Sequence, residues 1–368
     1  MTPGLKLLLV AGARPNFMKV APLIHAIVRH NAQATPARRL EHCLVHTGQH
    51  YDAAMSRIFF QELGIPEPDV NLGVGSGSHA VQTANIMAGF EKVCEERKPE
   101  WIVVFGDVNS TLACSLVAAK LGIRIAHVEA GLRSFDRTMP EEINRVVTDT
   151  LADLLFAPSE DARKNLLREG VAEDRIQVVG NIMIDSLVTH LPEAQRSTAL
   201  ERFSVAPDSF AYVTLHRPAN VDNRSSLTAI AGELKKLSHK LPVVFPVHPR
   251  TRRMFSEFGL DLAGNGFRLT EPIGYHDSIC LTRNARVVLT DSGGLQEEAT
   301  FFRTPCLTLR PNTERPVTIE LGSNRLTNIQ ALAADMDTVL AQPRRLGTVP
   351  PLWDGKASER IVTVLCRV

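Results

Sequence analysis

The chain has 368 residues, 44% of them hydrophobic and 22% charged, with a net charge of +1. That length exceeds one typical core and points to two domains, while the near-zero charge offers no basic field to hold nucleic acid. No stretch approaches the roughly 18–20 apolar residues of a membrane span, so the expectation is a cytoplasmic globular protein with no membrane partner.

The opening Leu5–Gly12 run is short, lacks a basic flank and leads straight into Arg14. It reads as a buried first strand rather than a secretion signal. Strands are expected near 6–12, 42–48, 101–106, 124–129, 154–158 and 176–180, and again near 210–215, 243–247, 267–270, 285–290 and 306–309. Helical patterns lie between them, at 17–30, 80–97, 109–121, 141–152 and 160–169. Strands alternating with helices predict parallel βαβ units. Continuous apolar strands such as Trp101–Phe105 fit sheets covered on both faces. The series breaks after Val179-Gly180-Asn181, and the following segment is more polar and carries Pro192 and Pro207. The expected division is therefore a first α/β domain at 1–183 and a second at 184–355, with a terminal helix beyond. The six cysteines, Cys43, Cys94, Cys114, Cys280, Cys306 and Cys366, form no C-x-x-C pair. They argue for a reducing cytosol and against a disulfide framework or a zinc site.

Six polar positions follow directly on strands: Arg14, Asp107, Glu129, His216, His248 and Asp291-Ser292. In open parallel sheets the carboxyl ends of the strands line the ligand crevice, and two such crevices facing each other would make one cleft. Gly12-Ala13-Arg14-Pro15-Asn16-Phe17-Met18-Lys19 offers a glycine turn, a helix N-terminus and two bases to an anion; the alternative is an ordinary turn with surface bases. Asp107 is equally a base, a ligand for hydroxyls, or a turn residue before a helix. Glu129 ends an apolar strand, where a carboxylate suits acid–base work or an ion pair with Arg133 or Arg137. Pro140-Glu141-Glu142-Ile143-Asn144-Arg145 opens a helix with acidic residues, which the helix dipole alone explains. His216-Arg217 is a cationic pair able to grip a phosphate, or a capped loop. Asp291-Ser292-Gly293-Gly294-Leu295-Gln296-Glu297-Glu298 is the most specific run: a strand ends, two glycines allow close approach, and a helix begins. Glu298 on that helix could take the vicinal hydroxyls of a ribose, and Thr313-Glu314-Arg315-Pro316 could close over the same ligand. There is no G-x-G-x-x-G, no G-x-x-x-x-G-K-[ST] and no H-E-x-x-H, and none of the three tyrosines has a lysine four residues on. Asp335-Met336-Asp337 reads as a solvated helix start.

Together these motifs resemble the non-hydrolysing UDP-N-acetylglucosamine 2-epimerases, from the Arg14 turn to Gly322-Ser323-Asn324-Arg325-Leu326. The resemblance implies the glycosyltransferase-B architecture: two Rossmann-like domains with parallel sheets facing a central cleft, and a terminal helix, 356–368, packing back on the first. It implies a diphosphate-binding role for Arg14, an active-site role for Lys19, and acid–base roles for Asp107, Glu129 and Glu141. His216 matches a histidine near the diphosphate, and Ser292, Gly293 and Gly294 the phosphate-binding turn. Glu298 matches the ribose carboxylate, Arg315 a further nucleotide-binding arginine, and Ile273 a backbone contact to uracil. Gln49, Arg217 and His248 fall where a regulatory UDP-sugar site lies in bacterial members, but Asp52 and the Gly/Ser-rich stretch 73–79 depart from that pattern. The implied reaction is reversible C2 epimerisation by elimination of UDP to a 2-acetamidoglucal and re-addition, in a homodimer, with no metal and no redox cofactor. The competing expectations are a hydrolysing epimerase, a C2 epimerase of a UDP-diacetamido sugar, a retaining glycosyltransferase, and a catalytically dead UDP-sugar sensor.

Overall fold

The computed structural model describes residues 4–48, 64, 66–262, 264 and 266–368, the side chains of Arg14 and Pro15 excepted. The chain divides into two units, one made of Met1–Val188 with Pro351–Val368, the other of Thr189–Pro350.

In the first unit, strands β1 (Leu5–Ala11), β2 (Leu40–His46), β3 (Val70–Asn71), β4 (Trp101–Phe105), β5 (Arg124–Val128), β6 (Leu154–Ala157) and β7 (Ile176–Val178) form one parallel sheet in the order β3-β2-β1-β4-β5-β6-β7. Between them run helices α1 (Arg14–Gln33), α2 (His79–Arg97), α3 (Asn109–Leu121), α4 (Pro140–Leu151) and α5 (Glu160–Arg168), and α6 (Ile182–Thr189) follows β7. Every residue of β4 is buried, as a strand covered on both faces requires. The strand order reverses between β1 and β4, so this is the sheet's switch point, where α/β folds place ligands. Two helix details show how the sequence seats this layer. Pro22 has no N–H to give and leaves the Met18 carbonyl unpaired inside α1; the Ser186 hydroxyl of α6 donates to that carbonyl. The last helix, Ala357–Leu365, packs on α1. Its first N–H groups, from Ala357 and Ser358, donate to the Asp185 carboxylate at 3.0 and 2.7 Å, a cap supplied by another helix.

The second unit repeats the plan. Strands β8 (Ala211–Thr214), β9 (Val243–Pro246), β10 (Phe267–Thr270), β11 (Val287–Thr290), β12 (Cys306–Leu309) and β13 (Asn324–Thr327) form a parallel sheet in the order β10-β9-β8-β11-β12-β13. Its main helices are α7 (Arg224–Ser238), α8 (Pro249–Phe258), α9 (Tyr275–Asn284), α10 (Gly293–Phe302) and α11 (Leu332–Ala341); the terminal helix Ala357–Leu365, α12, belongs to the first unit. Apolar clusters of buried residues form the unit's core. The switch point here lies between β8 and β11.

β3 and β13, both edge strands, are absent from the expected series. One is two residues long and the other contains Asn324, Arg325 and Thr327, so neither shows an apolar run. Asp335 is not a solvated residue: it is buried in α11, accepts a hydrogen bond from Thr327 at 2.7 Å and pairs with Arg325 at 3.1 Å. Among the described residues no helix is long and apolar enough to cross a membrane.

Candidate active site

At the first switch point one buried side chain ties two strands together. Asn16 accepts N–H bonds from Gly12 and Ala13 at 3.0 Å each, and its amide donates to the Phe105 carbonyl at the end of β4, 2.9 Å away. One turn further along α1, on the same face, Lys19 sends its ammonium to the Glu129 carboxylate in a buried ion pair. Gly106 makes room for that pair. A Cβ there would lie 2.7 Å from Lys19 Nζ, and the residue has φ +64°, so both contact and backbone demand glycine. Glu129 itself has φ +72°, an uncommon conformation for a residue with a Cβ and one that concentrates at functional sites. Its Oε1 is buried and has no hydrogen-bond partner among the described residues.

The partner of Glu129 is therefore Lys19, not Arg133 or Arg137. Arg133 is already saturated by two other carboxylates, Asp149 at 2.7 Å and Glu169 at 2.6 Å. Asp149 also faces His127 Nδ1 at 2.6 Å and accepts the Gly131 N–H at 3.0 Å. Burial alone would raise the Asp149 carboxyl, but His127, Arg133 and Gly131 together hold it below the usual carboxylate range.

Asp107 follows Gly106. Its Oδ2 takes two N–H bonds from Arg145, at 3.0 and 2.6 Å, and its carbonyl takes one from Asn144 at 2.8 Å. Arg145 is held in turn by Glu142 at 2.6 Å. Glu142 accepts the N–H and hydroxyl of Ser134 and the N–H of Phe135, each at 2.9 Å. Burial pushes the Glu142 carboxyl up, and these donors outweigh it, leaving the group below its ordinary value. Glu141 is half-buried on the same helical turn; the ion pair belongs to its neighbour. The sequence at 140–145 carries little signal by itself, yet α4 supplies three of the groups around Asp107. The signal that was available is the i, i+3 spacing of Glu142 and Arg145.

The second switch point is built differently. Asp291, fully buried, accepts the N–H groups of His216 (3.1 and 3.0 Å) and Arg217 (2.9 Å) and the amide of Asn220 (3.1 Å). Its carboxyl is pushed up by burial but held below its usual range by His216, Arg217 and Asn220. The His216 ring, 40% exposed, turns Nδ1 to Asp291 at 3.0 Å and lies beside the His248 ring at a centroid distance of 5.6 Å. Ser292 stands at the N-cap position of α10 without a side-chain capping bond, and the first N–H groups of that helix, beginning at Gly293 and Gly294, have no intrahelical acceptor. Unpaired N–H groups with the helix dipole behind them are the geometry that suits an anion. Gly293 also faces Arg315: a Cβ there would meet Arg315 NH1 at 3.0 Å.

Arg315 donates to Glu297 at 2.7 Å and to Glu314, and Glu314 also takes Arg310 at 2.9 Å. The result is a buried ladder of alternating charge. Arg310, absent from the sequence-derived set, follows directly on β12, the same criterion that selected the other polar positions. Glu298 is buried against Tyr275; burial, with the charge of Glu297 adding to it, pushes its carboxyl up to about 8, against a hydrogen bond from Tyr275. Ile273 is half-buried just ahead of α9. Gln49 lies outside the described residues. Arg217 donates through Nε to the Asp291 carbonyl at 3.0 Å, and His248 caps α8 by accepting the Arg250 N–H at 3.2 Å.

The family described as UDP-N-acetylglucosamine 2-epimerase matches residues 32–366. A Methanocaldococcus jannaschii protein named UDP-N-acetylglucosamine 2-epimerase is 43% identical, over 98% of this chain and 99% of its own. A Pseudomonas aeruginosa protein named UDP-2,3-diacetamido-2,3-dideoxy-D-glucuronate 2-epimerase is 40% identical, over 99% of this chain and 100% of its own. The crystal structure of the M. jannaschii UDP-GlcNAc 2-epimerase in complex with UDP-GlcNAc and UDP has a TM-score of 0.87 to this fold at 42% identity, covering 99% of this chain and 100% of that one.

Proposed function

We propose that this chain, which belongs to the UDP-N-acetylglucosamine 2-epimerase family, interconverts UDP-N-acetylglucosamine and UDP-N-acetylmannosamine by non-redox epimerisation at C2. The C2 hydrogen is not next to a carbonyl, so a free carbanion there is out of reach. Coupling the loss of that proton to departure of UDP from C1 avoids it. The C2–H and C1–O bonds break, a C1–C2 double bond forms, and the pair held is UDP and 2-acetamidoglucal. Return of a proton to the other face of C2, with UDP re-adding at C1, completes the inversion.

The observation that carries this reading is the pair of carboxylates at the first switch point. Glu129 and Asp107 are each held through one oxygen by a cation, Lys19 and Arg145. This supports proton transfer by these two carboxylates, with Glu141 nearby on α4 as a further acid–base group. In the second unit the N-terminus of α10 at Ser292–Gly294, together with His216 and Arg315, is read as the diphosphate site, with preorganised donors for the departing charge. Glu298 is read as the ribose ligand and the Ile273 backbone as the uracil contact, with Arg14 and Lys19 serving the phosphates and sugar from the first unit. Gln49, Arg217 and His248 are read as part of a regulatory UDP-sugar site. We read the assembly as a homodimer through the first unit. Val81 on α2, and Ile143 and Val146 on α4, are exposed apolar side chains on two helices that both pack against α3.

A second reading, C2 epimerisation of a UDP-diacetamido uronate, is favoured by the P. aeruginosa relative. One experiment separates the two. The protein is incubated in D₂O with each UDP-sugar in turn and followed by proton NMR. The manno epimer of UDP-N-acetylglucosamine, deuterated at C2 and with little free UDP, is the expected result. Exchange of the diacetamido uronate alone would replace the substrate. Stoichiometric UDP with free N-acetylmannosamine would make the enzyme hydrolytic.

A further inference from the structure

We infer that Arg145 is a positioning residue for the epimerisation, seated by Glu142 so that the Asp107 carboxylate is held in one orientation toward the substrate. The inference rests on the reading of Asp107 as an acid–base group. Oδ2 of Asp107 takes both Nε and NH2 of Arg145, a two-pronged, charge-assisted grip that fixes where this oxygen sits. Arg145 is itself immobile: buried, and anchored through NH1 to Glu142. Glu142 has three donors of its own from the turn at Ser134 and Phe135. Neighbouring Asn144 pins the Asp107 backbone carbonyl. One helix thus fixes the backbone and one oxygen of Asp107, while the side chain stays 26% exposed. Among the described residues the charged groups around it include Arg145 and Glu142 from α4, with Lys19 and Glu129 packed against neighbouring Gly106. A guanidinium cannot give up its proton. Arg145 therefore orients Asp107 and takes no part in the proton transfers.

Arg145→Lys keeps the charge and loses the two-pronged grip; Arg145→Gln loses both. Each is expected to lower kcat by about 10–100-fold with KM for UDP-N-acetylglucosamine and affinity for UDP unchanged. In Arg145→Gln the acidic limb of the kcat–pH profile should move to higher pH, because the cation that favours the charged carboxylate is gone, and in Arg145→Lys it should move less. Glu142→Gln, which keeps the shape, should give the same signature more weakly, and it serves if the arginine variants fail to fold. In an Asp107→Asn background Arg145→Gln should cost nothing further. An additive loss in that background, an unchanged rate and pH profile in folded Arg145→Gln, or a loss that tracks UDP affinity and melting would overturn the inference. Normal turnover by Asp107→Asn alone would remove the underlying reading of Asp107. An inactive Asp107→Asn beside a fully active Arg145→Gln would remove only the role of Arg145.

Discussion

Asp107 and Asp291 stand at matching places, just past the fourth strand of two sheets with the same strand order, and the two units use them in opposite ways. Asp107 is 26% exposed and held by a guanidinium from a helix. Asp291 is completely buried and consumed by backbone N–H groups of the loop after β8. In the first unit the switch point leaves the Asp107 carboxylate partly exposed and hides the cation that holds it. In the second it hides the carboxylate and presents N–H groups and an imidazole. The topology places a loop; whether the loop offers negative or positive character depends on which partner the strand-end aspartate finds first. A base for C2 fits the first arrangement, and a diphosphate fits the second.

The comparison breaks most visibly at Glu129. Glu129→Gln should lower epimerisation by about 10²–10⁴-fold while UDP, which we read as held mainly by groups of the second unit, keeps most of its affinity. Steady-state rates and calorimetric UDP titration decide it; retention of rate would end the assignment. Asp291→Ala is the opposite case, a structural loss. It strands the N–H groups of His216 and Arg217 and the Asn220 amide, so unfolding stability should fall by about 2–4 kcal/mol and UDP affinity with it. Because the Asp291 carboxyl sits below its ordinary value, its contribution is present above the unfolded-state value and is lost as pH falls through the folded one. Wild-type melting should therefore drop on acidification, and the variant should lose part of that dependence.

Glu298 sharpens the comparison from the other side. Its carboxyl is pushed up to about 8 from 4.5 by burial, with Glu297 adding to the effect. A group raised in this way favours the folded state fully below its unfolded value, and that contribution fades as pH rises through the folded one. Melting temperature in the wild type should carry a downward component between about pH 5 and 8, and Glu298→Gln, a mimic of the neutral acid, should flatten it. If Glu298 ionises to accept ribose hydroxyls, UDP binding near neutral pH will release a proton. Calorimetry in buffers of different ionisation enthalpy reads that directly, and no proton release would argue that the ribose is met by the neutral acid.

The fold was largely legible because buried parallel strands announce themselves as unbroken apolar runs, as at Trp101–Phe105. β13 was not, since an edge strand such as Asn324–Thr327 has no need of such a run. The expectation that Asp107, Glu129, His216 and Ser292 follow strand ends holds in the fold, and the carboxyl ends of parallel strands are where the sheet opens. What stayed hidden were the partners. The pairing of Glu129 with Lys19 spans 110 residues and depends on Gly106 leaving room. The clamp of Arg145 on Asp107 comes from a helix turn whose acidic residues have a sufficient local explanation in the dipole. Spacing along a chain says which residues share a face, not which distant cation reaches a carboxylate first.

The smallest expected effect tests the contrast in backbone demand. Gly106 has φ +64° and a cation 2.7 Å from where its Cβ would be. Gly106→Ala should therefore cost about 1–2 kcal/mol in backbone strain and also displace Lys19 from Glu129, lowering turnover. Gly293 opens a helix and needs no left-handed conformation. Its Cβ would meet Arg315 NH1 at 3.0 Å and Glu314 Oε1 at 3.2 Å, both at the ends of side chains. The backbone should accept Gly293→Ala with melting changed by no more than about 0.5 kcal/mol. What gives way is the guanidinium, by a few tenths of an ångström, against the two carboxylates that hold it. If Gly293 is there to keep Arg315 beside the phosphate turn, UDP affinity should fall by about 3–10-fold, roughly 1 kcal/mol, with stability intact. Equal affinity in the two proteins would mean that close backbone approach is not used by the ligand, and the diphosphate would have to be met by His216 and side chains rather than by the start of α10.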